Sequence, residues 1–202
     1  MQRLIDQHPL QRGSHPDRGA GMCAMEMVAW LAGEPHSDEP RCACPVLGAF
    51  VRACNDAMSD EARNRHLRPQ VPQLVNTRAT VAIERRRGFV VLDGLVRVLV
   101  PKALRRDRLF AEADLLSGFA PVVDLEGVRT ARRAIEHYGR RQHAAQWVLN
   151  RAAEGLPPQR FVAGVVTVAR QVHDAATWPL LATWIERMAA IGIVADGALQ
   201  QA

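Results

Sequence analysis

The chain has 202 residues, of which 48% are hydrophobic and 5% aromatic: enough apolar material for one domain with a sizeable core, and too few aromatics to favour a strand sandwich. The net charge of +5 is carried almost wholly by arginine, since Lys102 is the only lysine, and this favours phosphate or carboxylate partners without bearing on the fold. No apolar run is long enough for a signal peptide or a membrane span, so a cytoplasmic protein with reduced thiols, and no disulfide framework, is expected.

Residues 1–20 are polar, contain Pro9 and Pro16, and read as an irregular N-terminal segment. From Met22 to Ala32 the residues are apolar on every side except for Glu26, which predicts a buried helix stopped by Gly33. A polar loop follows over residues 34–41. Pro45 then suits the first position of a second helix, with Val46, Leu47, Phe50, Val51, Cys54 and Met58 on its core face. Ser59 followed by Asp60 and Glu61 signals the start of a short helix that should stop near Pro69, and Pro72 should start another.

Residues 89–100 carry two competing signals. Apolar runs on either side of Asp93-Gly94 resemble a hairpin, whereas Ile83, Arg86, Val90, Leu92, Val96 and Leu99 fit a helical face. The helix is favoured and the hairpin kept as the minor alternative. Asp107 should cap a helix built on Leu109, Phe110, Ala113 and Leu116 and ended by Gly118 and Pro121. Asp124 opens the longest periodic segment, with Val128, Ala131, Ile135, Tyr138, Ala145 and Leu149 facing inward until Pro157 and Pro158 break it. Helices over 158–173 and 178–191 complete an all-α, irregular helical bundle, one domain over residues 1–202 with a frayed tail from 192.

Chemically distinctive residues concentrate between Met22 and Asp56. Glu26 lies one turn from Cys23 and from Trp30, so it is carried into the interior with its helix. A buried carboxylate needs an arginine, a metal or several hydrogen-bond donors, and an arginine or backbone donors are the first expectation. Cys23 and Cys44 sit at helix starts, which stabilise thiolates, and Cys42 lies in the loop between them.

With His36 or Asp38 as a fourth ligand, Cys23, Cys42 and Cys44 could make a zinc site, but one Cys-x-Cys and a distant third cysteine are a weak spacing. Buried thiols without a cofactor are favoured. Cys54 falls on the apolar stripe and is assigned to the core, and Asn55 and Asp56 are read first as capping residues. A cysteine nucleophile would need a base from His15, His36 or His66. No dinucleotide fingerprint, phosphate loop, zinc-protease helix or nucleophile elbow is present. Arg129, Arg132, Arg133, Arg140 and Arg141 could track a nucleic-acid backbone, yet Glu126, Glu136 and Glu154 interrupt them and a solvated face is the simpler reading.

The residues Gly21-Met22-Cys23-Ala24-Met25-Glu26, Ala29-Trp30-Leu31-Ala32-Gly33-Glu34, Ser37-Asp38, Pro40, Cys42 and Pro45 resemble a group of uncharacterised proteins from actinobacteria and their phages. In that group a Cys-x-x-Glu helix leads into a Leu-Ala-Gly-Glu turn and an Asn-Asp pair, here Asn55 and Asp56. The resemblance implies that Cys23, Glu26, Asp38 and Cys42 are signature residues, and it implies no reaction, cofactor or partner. The leading expectation is a non-enzymatic interaction or regulatory protein whose partner is another protein. The alternatives are a metal- or thiol-dependent enzyme centred on Cys23 and Glu26, and an arginine-driven nucleic-acid binder.

Overall fold

The computed structural model describes Ile5 and residues 7–137 and 142–192, and among these every regular element is helical. Helix α1, Ala24–Leu31, buries every residue from Ala24 to Ala29, as an all-apolar helix must. Gly33, at φ +70, then takes the left-handed conformation that turns the chain out of the helix at little cost.

Helix α2, Pro45–Ala57, starts with its proline in the first turn and buries Val46, Leu47, Phe50, Val51 and Cys54. Ser59 caps the next run by accepting from the Ala62 amide at 3.3 Å. That run does not stop near Pro69. It passes from an α turn, Asp60–Ala62, through a π segment, Arg63–Leu67, into a 3-10 helix, Arg68–Leu74, that contains Pro72. Pro69 occupies the first turn of the 3-10 segment, where the run changes its helical type.

Helix α3, Val81–Gly94, continues through a π segment, Leu95–Leu99, into α4, Val100–Arg106, so the helix prevails over the hairpin. The Asp93-Gly94 pair that mimics a turn has a packing origin. The Trp184 ring lies so close to Gly94 that a Cβ there would overlap ring carbon Cζ2. Arg87, 2% exposed, ties α3 to the end of the last helix by donating to the Met188 carbonyl at 2.9 Å and the Ile191 carbonyl at 2.8 Å. A cation there faces the negative end of the helix dipole.

Helix α5, Phe110–Ser117, is not capped by Asp107, which instead ends α4. Arg108 at φ +63 reverses the chain between the two helices, and this displaces the expected cap from its helix. Gly118 ends α5 as expected.

The long segment opened by Asp124 divides into α6, Leu125–Glu136, and α7, His143–Ala153, which pack against each other. Val128, Ala131 and Ile135 on one and Ala145, Val148 and Leu149 on the other are all buried. Two short helices side by side cover these faces, which a single rod of the same sequence would leave further apart. Tyr138 lies outside the described residues.

A 3-10 turn, Pro158–Arg160, leads into α8, Val162–Val172, and α9, Thr177–Ala190, completes the bundle. Helix α8 is central and packs against α2, α3, α4 and α7. Of the tail expected to fray from residue 192, residues 193–202 lie outside those described. Among the described residues no helix is long and apolar enough to cross a membrane.

Candidate functional site

Cys23 is the N-cap of α1 and Glu26 its third helical residue, so the two form a capping box. Cys23 Sγ accepts from the Glu26 amide at 3.4 Å, while Glu26 Oε2 accepts from the Cys23 amide at 2.7 Å. Glu26 is 1% exposed and holds more than its own helix. Its Oε1 accepts from the His15 amide at 2.6 Å and its Oε2 from His15 Nδ1 at 2.8 Å.

His36 Nε2 lies 3.0 Å from the His15 carbonyl oxygen and 3.5 Å from Glu26 Oε1. A carbonyl only accepts, so His36 carries its proton on Nε2, and its Nδ1 is left buried without a partner among the described residues.

The titration of these groups follows from the contacts. Burial pushes the Glu26 carboxyl up, but hydrogen bonds from the Cys23 amide, the His15 amide and the His15 ring outweigh it and hold the group below its ordinary range. Burial pushes the Cys23 thiol up to about 12, against the pull of the Glu26 amide and with the help of the Glu26 charge. The thiolate that a helix start would stabilise is therefore not favoured: the Glu26 and Met25 amides cannot offset a dry site beside a carboxylate. Burial also raises Cys42 and Cys54.

The remaining signature residues shape backbone. Glu34 accepts from the Arg41 and Cys42 amides, each at 2.7 Å, and folds the 34–42 loop onto itself. Asp38 presents its carbonyl to Arg52 Nη1 at 2.7 Å, while its carboxylate stands 3.9 Å from Arg52 Nε. The Cys44 amide donates to Thr77 Oγ1 at 3.0 Å.

Asn55 caps across the fold, not within its own helix. Its Oδ1 accepts from the Ala24 amide at 3.2 Å and its Nδ2 donates to the Gln11 carbonyl at 2.9 Å. Asp56 accepts from the Gly13 amide at 2.9 Å. Two residues outside the predicted set finish the job: Arg63, 1% exposed, and Asn64, which accepts from the Leu10 amide at 2.7 Å. Nothing in their spacing announces their grip on Leu10, which lies 53 positions from Arg63 and 54 from Asn64.

The candidate cluster is thus a clamp on the N-terminal segment. Glu26 and His36 hold His15, Asn55 and Asp56 hold residues 11 and 13, and Arg63 and Asn64 hold Leu10. Among the described residues no group of three or more His, Cys, Asp and Glu side chains is arranged to hold a metal ion, so Cys23, Cys42, Cys44 and His36 are not gathered as a ligand set. All four cysteines are free thiols.

The arginine stripe on α6 is partly neutralised. Glu126 stands 3.7 Å from Arg129 and 3.5 Å from Arg133, and both arginines are exposed. Arg132 lines a shallow hollow with them, and Arg140 and Arg141 lie outside the described residues. Comparison with models of protein families, with curated proteins and with solved structures finds no match to the chain.

The thiols supply a direct check. Iodoacetamide at neutral pH is expected to modify Cys42 first and slowly, because it alone is half-buried, and to leave Cys23, Cys44 and Cys54 intact until denaturant is added. Peptide mass spectrometry reads the order. Rapid modification of Cys23 in the native protein would contradict the raised thiol.

Proposed function

We propose that the protein is a non-enzymatic, cytoplasmic helical interaction protein, with the segment from Met22 to Asp56 as its structural nucleus and another protein as its partner. The observation that carries this reading is the saturation of Glu26. A carboxylate that accepts three hydrogen bonds, with a second histidine at 3.5 Å, is engaged in holding the chain, and the thiol beside it stays protonated at neutral pH.

A protein partner is supported by the large apolar side chains left in water, Phe110 at 58% and Leu115 at 63% exposure on α5 and Val123 at 66% just beyond it. The exposed arginines of α6, in contrast, share Glu126, which weakens them as a phosphate track.

A photo-crosslinking residue placed at position 110 or 115, in cells that naturally make the protein, tests the reading. One discrete protein adduct is expected from these positions and none from position 129. Adducts to nucleic acid alone, or no adduct from either α5 position, would overturn it.

A further inference from the structure

A cavity of about 400 Å³ opens beside the first turn of α2, apart from the Glu26 clamp and from the exposed face of α5. Cys44, Pro45, Gly48 and Ala49 form one wall and Met25 contributes to the lining, so the positive end of a 13-residue helix lies against the space. Cys44 provides no side-chain cap to that helix end. Three arginines, Arg41, Arg52 and Arg78, and one acid, Glu39, line the same cavity.

Their charges are unequally spent. Arg52 is held at the rim by Glu39 at 2.9 Å and by the Asp38 carbonyl at 2.7 Å. Arg41 and Arg78 are exposed, and among the described residues no carboxylate oxygen lies within 4 Å of either guanidinium. Of the acids near Arg41 in sequence, Asp38 and Glu39 face Arg52, and Glu34 is bonded to two backbone amides while its carboxylate also feels the Arg41 charge.

Gln159 also lines the cavity, and its Oε1 is buried without a partner among the described residues. That oxygen has almost no accessible surface of its own, so it adds polarity to the wall without itself meeting a ligand.

We propose that this cavity is a binding site for a phosphomonoester, whose terminal dianion sits between Arg41, Arg78 and the start of α2. Two guanidiniums without a carboxylate in direct contact, together with a helix N-terminus, match a doubly charged tetrahedral group, and arginine's planar fork can bind it through paired hydrogen bonds. The arginines line one half-open hollow and do not run along a helix face, which favours a terminal phosphate over the spaced diesters of a nucleic-acid strand. The volume leaves room for a compact organic body against Met25, Pro40 and Ala49.

Calorimetric titration of the full chain, in phosphate-free buffer at low ionic strength, tests this with four probes: inorganic phosphate, O-phosphoserine, ribose 5-phosphate and an oligonucleotide lacking terminal phosphates. Saturable binding of inorganic phosphate and at least one monoester is expected, with the oligonucleotide much weaker. The double variant Arg41→Ala/Arg78→Ala should lower monoester affinity by about tenfold or more. Arg41→Lys/Arg78→Lys should retain part of it, and Arg170→Ala, in a separate hollow at the other end of α2, should change nothing.

Circular dichroism confirms that the variants are folded, as replacement of exposed side chains should allow. No saturable monoester binding at millimolar concentration, equal affinity for the diester strand, or undiminished binding by the double alanine variant would each overturn the proposal.

Discussion

Glu26→Ala is expected to cost about 3 to 5 kcal/mol of folding free energy and to release the chain from Leu10 to Gly21. The reasoning starts from what the carboxylate satisfies: the Cys23 amide, the His15 amide and the His15 ring, all within 2.8 Å. Alanine leaves these donors facing a cavity that the packed α1 cannot fill. A buried donor deprived of its acceptor costs about 1 to 3 kcal/mol, and the losses overlap because the same segment relaxes to meet water. Urea denaturation gives the stability change, and trypsin cleavage at Arg12 and Arg18 reports the release. A change below about 1 kcal/mol would show that the clamp is ornamental. Glu26→Gln should lie between, since one amide end presents a donor to donors.

The same carboxylate sets an acid limb. Its folded-state pKa lies below its unfolded value, so its contribution to stability is fully present above the unfolded carboxylate range, near about 4.3, and is lost as pH falls through the lower folded value. Wild-type stability should therefore drop as the pH falls below about 4.3, and the Glu26→Gln variant should show a shallower drop over the same window.

How far the sequence specifies this arrangement depends on the range of the forces involved. The burial of Glu26 follows from local pattern, since a helix without a polar face takes its one acid inside. The identity of its partners does not, because the His15 amide and ring come from an irregular segment with no period to read. Asp93-Gly94 misleads because a glycine chosen for contact with Trp184 looks like one chosen for a turn. Asp107 misleads for a related reason: which of two neighbouring helices owns a cap depends on where Arg108 reverses the chain. The division of α6 from α7 is likewise a matter of packing, as one unbroken period serves either a rod or a folded pair.

Arg63→Met should destabilise the protein by about 3 to 5 kcal/mol, as expected when a buried charged group is removed from partners that stay behind. Arg63 is 1% exposed and donates to the Asn55 carbonyl at 2.7 Å and the Met58 carbonyl at 2.9 Å, at the end of α2. Asp60 at 2.6 Å offsets its charge from the surface, and the Leu10 carbonyl lies at 3.5 Å. Methionine keeps most of the volume, so the loss reads the hydrogen bonds and the cation at a helix C-terminus more than a cavity. Arg63→Lys should recover only part, because one ammonium cannot span three carbonyls set apart around a planar fork. Since Arg63 and Glu26 grip the same segment at Leu10 and His15, the double variant with Glu26→Gln should lose less than the two single losses combined. Strict additivity in urea titrations would mean that the two ends of the segment are held independently, and the clamp would then be two separate contacts.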